Sequence, residues 1–302
     1  MAENTDFIIK VNEVTKDYGK FQALKSMSFT VPKGSIYGLV GRNGAGKTTI
    51  MRVISGLQKP TSGTVEYGFD HKKLGNVGAL VELPSIYSNQ TARENLVYQY
   101  INLGLKIDGS IEENLQFVGL GNTGSKKAGK FSLGMRQRLG IAMAMSGNPE
   151  VLILDEPING LDPQGIIQIR DLLIKLNKER GVTIIISSHI LSELSKLATD
   201  FAFVEGGRVV KEIKAEALED AGGLVTEFYS ANPDKLVPVL NAKGLTATYD
   251  SSTGVVYAKG YFNLTNVVLA ANEAGANIAR VVPRETDLET YFVKLVGGES
   301  NV

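Results

Sequence analysis

The sequence predicts an α/β domain built on a parallel sheet over residues 1–213, followed by a smaller α+β domain over residues 214–302. Three observations predict it. The apolar runs SIYGLV, VLIL and VTIIIS are strand-length and unbroken, as in strands buried on both faces. Segments of helical period alternate with them, the order of parallel βαβ units. After about Lys214 the texture changes to shorter segments reading strand, helix, strand, strand, helix, strand, a ferredoxin-like order.

The elements follow in turn. FIIKVNEVTKDY and FQALKSMSFTVP read as strands around a turn at Gly19, SIYGLVG as a buried strand and TTIMRVISGL as a helix. LQKPTSGTVEYG is Pro/Gly/Ser punctuation and then a strand. TARENLVYQYINLGL is helical, with Thr91 as N-cap and Glu94 completing a capping box. IEENLQFVGL and FSLGMRQRLGIAMAMSG are helical, and VLILDEP is a buried strand. DPQGIIQIRDLLIKLNKERG is an amphipathic helix ending at Gly181. VTIIISSHI is a buried strand and LSELSKLAT a helix. AEALEDAGG is the expected linker. Beyond it LVTEFYS, LTATYD, GVVYAKG and NIARVVP read as strands, and NPDKLVPVLNAKG and FNLTNVVLAANEAG as helices. TDLETYFVKLVG reads as a last helix.

Composition narrows the function. Lys+Arg and Asp+Glu are equal at 32 each, so there is no electrostatic reason to expect a nucleic-acid partner. With no cysteine, disulfides, thiol catalysis and Cys-based metal sites are excluded. The N-terminus carries charge from its third residue and does not read as a signal peptide. No apolar run reaches the length of a bilayer span. If the protein works at a membrane, another chain has to supply the spans.

The stretch GRNGAGKTT, Gly41 to Thr49, carries the first chemistry. It matches G-x-x-x-x-G-K-[ST] and lies between an expected strand and an expected helix, the context that gives the pattern meaning. Glycines at 41, 44 and 46 let the backbone around Arg42, Asn43 and Ala45 turn its N–H groups inward onto phosphate oxygens. The helix N-terminus beginning near Lys47, Thr48 and Thr49 adds positive potential. Lys47 would reach the β- and γ-phosphates, and the Thr48 hydroxyl would bind Mg²⁺. In VLILDEP, an acid at the end of a buried apolar strand is costly unless paired. Asp155 would hold Mg²⁺, and Glu156 would orient or deprotonate water.

FSLGMRQ on its own is a helix N-cap at Ser132. Following the phosphate loop and preceding DEP, it resembles the signature motif of ATP-binding cassette (ABC) ATPases, usually Leu-Ser-Gly-Gly-Gln. Ser132 and Gly134 are kept, while Phe131, Leu133 and Met135 depart from it. The resemblance extends in order along residues 7–211. Tyr18 falls where the family stacks a ring on adenine. NGLD, Asn159 to Asp162, resembles the D-loop, and SSH, ending at His189, resembles the switch histidine that contacts the γ-phosphate. The family implies ATP and Mg²⁺ as cofactors, and a P-loop NTPase fold with a parallel-sheet core, an antiparallel β subdomain and a helical subdomain. It also implies a second cassette copy whose Ser132, Gly134 and Met135 surface closes on the γ-phosphate held by the first.

Where the family usually has glutamine, this chain has Glu82, a charged residue placed to touch Mg²⁺ or the attacking water, or simply solvated. With PSIY after it and FSLGM as signature, the chain resembles the exporters that protect bacteria against bacitracin and lantibiotics. The expected function is an ATP-hydrolysing subunit at the cytoplasmic face of the membrane. It would power export through a separate permease contacted near Glu82 to Tyr100. The alternative is a soluble ABC ATPase of translation or DNA repair, but the chain has one cassette and no heptad run. A third reading makes the C-terminal domain a ligand sensor, although no motif there indicates a ligand.

Overall fold

The computed structural model describes residues 7–82, 84–189, 191–217, 225–260 and 262–284. By internal contacts the chain divides into two units, Met1–Ile213 and Lys214–Val302.

The first unit opens with a hairpin of β1 (Phe7–Tyr18) and β2 (Phe21–Pro32), with Tyr18 opposite Phe21 at its tip. β4 (Ser62–Tyr67) pairs antiparallel with the other edge of β1 and completes a three-stranded sheet. Val11, Val14, Leu24, Met27 and Phe29 of this sheet enter the same core as Ile50, Met51 and Ile54 of α1 (Lys47–Ile54).

The six-stranded sheet contains β3 (Ile36–Val40), β5 (Val77–Leu80), β6 (Val151–Asp155), β7 (Thr183–Ser188), β8 (Asp200–Glu205) and β9 (Arg208–Lys214). Its order is β5-β6-β7-β3-β8-β9, and β5–β6, β6–β7, β7–β3 and β3–β8 are parallel pairs. Every residue of β3, β6 and β7 is buried, which explains their unbroken apolar runs. The order sets the carboxyl ends of β6, β7 and β3 side by side, and ligands of parallel α/β sheets bind at such ends.

Between β5 and β6 the chain forms α2 (Ala92–Asn102), α3 (Ser110–Phe117) and α4 (Leu133–Ala144). The α2 capping box forms as its sequence requires: Glu94 N–H donates to Thr91 Oγ1 at 3.1 Å, and Thr91 N–H donates to Glu94 Oε2 at 2.7 Å. α5 (Pro163–Arg180) has proline in its first turn and closes at Gly181 with φ 65°.

Two elements differ from the sequence expectation. LSELSKLAT gives a helix, α6, only over Leu191–Leu194. Ser195 Oγ donates back to Ser192 O at 2.9 Å, an alternative to helix continuation, and β8 starts at Asp200. The segment FAFVEGGRVVKEIK, unassigned from sequence, supplies β8 and β9 around Gly206 and Gly207, both at positive φ.

The second unit runs β10 (Val225–Ser230), α7 (Pro233–Ala242), β11 (Thr246–Asp250), β12 (Val255–Lys259), α8 (Leu264–Glu273) and β13 (Ile278–Arg284). This is the element order read from the sequence. The sheet order is β11-β12-β10-β13, with every neighbouring pair antiparallel. It has its own core, in which Phe228 and Val256 meet Leu236, Leu240 and Val267 of the helices. The expected last helix TDLETYFVKLVG, and most of the expected linker AEALEDAGG, lie outside the described residues. Among the described residues no helix is long and apolar enough to cross a membrane.

Candidate active site

The loop between β3 and α1 is shaped by two glycines with different duties. At Gly41 a Cβ would lie 2.3 Å from the Val204 carbonyl oxygen, so only glycine fits beside that strand. Gly46 is the N-cap of α1 at φ 109°, a backbone that strains any side chain. α1 has no side-chain cap and no acidic residue in its first turn. Among the described residues no side chain caps its leading N–H groups, which with the positive end of the helix dipole make a surface suited to an anion. Arg42, Asn43 and Gly44 are exposed at the tip of the loop, while Thr48 and Thr49 are half-buried in the first turn. The Lys47 side chain is buried and folds back under the loop. Its Nζ donates to Gly41 O at 2.7 Å and Arg42 O at 3.2 Å.

Asp155 ends β6 and is buried. Both of its oxygens are satisfied: Thr48 Oγ1 donates to Oδ2 at 2.7 Å, and Ser187 Oγ donates to Oδ1 at 2.5 Å. These bonds offset the cost of burying the carboxylate. Glu156 follows at φ 50°, and its N–H donates to Ser187 Oγ at 2.9 Å. Its Oε2 lies 2.6 Å from His189 Nδ1 and accepts from the His189 N–H at 3.3 Å. Its Oε1 lies 3.7 Å from Lys47 Nζ. Lys47, Thr48, Asp155, Glu156 and His189, expected separately from three sequence segments, thus form one connected group at the carboxyl ends of β3, β6 and β7.

Ser187 was not anticipated. It lies directly opposite Asp155 in the β6–β7 register, which places its hydroxyl against that carboxylate. The signal was the hydroxyl pair in SSH, read from sequence only for its histidine.

The other expected site residues stand apart from this group. Tyr18 ends β1 and is 41% exposed, and its hydroxyl donates to Gln58 Oε1 at 2.6 Å. The Glu82 carboxylate pairs with Arg52 Nη2, a residue of α1 that the sequence did not point to. Ser132 is exposed as the N-cap of α4, with Oγ accepting from Met135 N–H at 3.3 Å, and Gly134 lies in that first turn. The Met135 sulfur is 3.9 Å from Lys126 Nζ. Asp162 is the N-cap of α5 and accepts from Gly165 N–H at 2.9 Å. Tyr100, the far end of the expected permease-facing surface, is itself buried, while Tyr87 and Tyr98 are exposed and meet edge to face at 5.1 Å.

Residues 24–159 match the family described as ABC transporter. The bacitracin transport ATP-binding protein BcrA of Bacillus licheniformis is 42% identical over 301 residues, covering 96% of this chain and 98% of that protein. The lantibiotic transport ATP-binding protein SrtF of Streptococcus pyogenes is 40% identical over 216 residues, covering 70% of this chain and 93% of that protein. Among solved structures, a dimeric bacterial ABC transporter cassette matches with a TM-score of 0.62 at 27% identity, covering 69% of this chain and 99% of that one. With this similarity and this fold, the chain belongs to the ABC transporter family, in which it is an ATP-hydrolysing subunit.

Proposed function

We propose that the chain powers export of an antimicrobial peptide or similar compound through a separate multi-spanning permease, from the cytoplasmic face of the membrane. Residues 1–213 act as the ATPase domain and residues 214–302 as an accessory domain. The observation that carries this reading is the extent of the likeness to the bacitracin transport protein, which runs through both units rather than the cassette alone. A soluble role in translation or repair draws no support from these relatives, whose names are those of transport proteins.

In this reading the N–H groups of the β3–α1 loop take the ATP phosphates, and Lys47 turns from its carbonyl partners toward the β- and γ-phosphates. Tyr18 stacks on the adenine. The Thr48 hydroxyl and Asp155 carboxylate, 2.7 Å apart, are hard oxygen donors that fit Mg²⁺, a cation that keeps several waters and few protein ligands. When bound, Mg²⁺ neutralises charge developing on the phosphates. Glu156 accepts the proton of the attacking water, while Lys47 and His189 offset charge on the transferred phosphoryl group. Glu82 flanks this site. In a head-to-tail pair, the α4 N-terminus of one copy, with Ser132, Gly134 and Met135, faces the γ-phosphate on the other, and Asp162 braces the segment between them. Dimer closure favoured by ATP is the work delivered to the permease, through the face around Tyr87 and Tyr98.

The test is affinity purification of tagged Glu156→Gln protein from mildly solubilised native membranes with ATP. Recovery of a multi-spanning permease near one-to-one supports transport. Recovery of ribosomes or nucleic acid instead would move the function to the soluble alternative.

A further inference from the structure

Arg52 has no part in the mechanism above, yet its position is specific. It lies one turn beyond Thr48 on the same side of α1, about 6 Å along the axis. One turn of α1 presents the Thr48 hydroxyl to Asp155, and the next presents the Arg52 guanidinium to Glu82. In the parallel pair of β5 and β6, Leu80 stands opposite Leu154, so Glu82 and Glu156 each follow two residues later, just beyond the ends of neighbouring strands. Both are non-glycine residues at positive φ, 70° and 50°. Left-handed backbone is unfavourable for glutamate and collects where a side chain has to be aimed.

Each of three carboxylates has its own partners. Asp155 has two hydroxyls, Glu156 has Lys47 and His189, and Glu82 has Arg52. The Arg52 and Glu82 side chains are 29% and 63% exposed, so the pair adds little to stability. Its consequence is where the carboxylate is held.

We propose that Arg52 is a positioning residue for the ATPase reaction. It holds the Glu82 carboxylate one helical turn from the Thr48–Asp155 cation position and offsets the charge that glutamate adds there. Opening of this pair hands the carboxylate to the cation or the attacking water. The inference rests on the nucleotide reading proposed above.

The test uses the full chain with Mn²⁺ as the probe and a non-hydrolysable ATP analogue, reading bound Mn²⁺ by electron paramagnetic resonance. Arg52→Gln frees Glu82 and should lower the half-saturating Mn²⁺ concentration by roughly three- to tenfold, as expected when one more carboxylate faces a divalent cation. In a Glu82→Gln background the same change should have no such effect, and Arg52→Lys should keep the wild-type value. An equal shift in both backgrounds, or none in either, would overturn the proposal while leaving the nucleotide site standing. Failure of the wild-type chain to bind Mn²⁺ with the analogue would overturn the nucleotide reading, and this inference with it. Melting temperatures identify any variant that has lost its fold, in which case the comparison of Arg52→Lys with wild type decides.

Discussion

His189 Nδ1 lies 2.6 Å from Glu156 Oε2, and the opposite oxygen of the same carboxylate lies 3.7 Å from Lys47 Nζ. Glu156 is therefore held by two groups that a γ-phosphate would also attract. In the proposed mechanism, a phosphate at the loop would compete for Lys47 and His189 and leave Glu156 free to accept from water. Ser187 ties the two carboxylate residues together, because it donates to Asp155 and accepts from the Glu156 N–H.

Lys47→Ala removes the side-chain cation that folds under the loop. A hydrogen bond to a charged group contributes about 1.5–3 kcal/mol, so nucleotide affinity should fall by roughly ten- to a hundredfold. Titration with a fluorescent ATP analogue measures it. Unchanged affinity would contradict the assignment of the loop.

Ser132 has a cap role and a proposed trans role, and two substitutions separate them. Ser132→Ala loses the cap and should cost about 1 kcal/mol in urea denaturation. Ser132→Asp keeps an N-cap acceptor and should retain stability, but it sets a carboxylate against the partner's phosphates and should abolish turnover. An aspartate variant with normal ATPase activity would remove Ser132 from the site.

The α2 cap gives a pH-dependent prediction. The Thr91 backbone N–H, then the Thr91 hydroxyl and Lys127, hold the Glu94 carboxyl below its ordinary range. A lowered folded-state value means that the stabilisation is present above the ordinary carboxylate range and is lost as pH falls through the lowered value. Thr91→Ala should move the Glu94 titration upward, observed by NMR, and cost about 1 kcal/mol at neutral pH. An unmoved titration would show that the Thr91 hydroxyl takes no part in holding Glu94, since alanine keeps the backbone N–H that bonds to it.

The parts of the fold legible in sequence were those set by local chemistry. The α2 capping box, proline and Gly181 at the ends of α5, and the apolar runs of β3, β6 and β7 each follow from neighbours in the chain. The residues from Lys47 to His189 that now form one group were legible because strand, loop and helix order accompanied each motif. What the sequence hid was partnership at a distance. Ser187 meets Asp155 through strand register, Arg52 meets Glu82 across 30 residues, and Gln58 meets Tyr18 across 40. The β8–β9 segment escaped because β9 is mostly exposed and charged, so its apolar alternation is weak.

The most direct measurement is the mass of purified Glu156→Gln protein by light scattering, with ATP and Mg²⁺ and again with ADP. General-base loss should slow turnover by about 10²–10⁴-fold and trap the closed pair. A dimer is expected with ATP and a monomer with ADP. A monomer under both conditions, or turnover as fast as wild type, would contradict it.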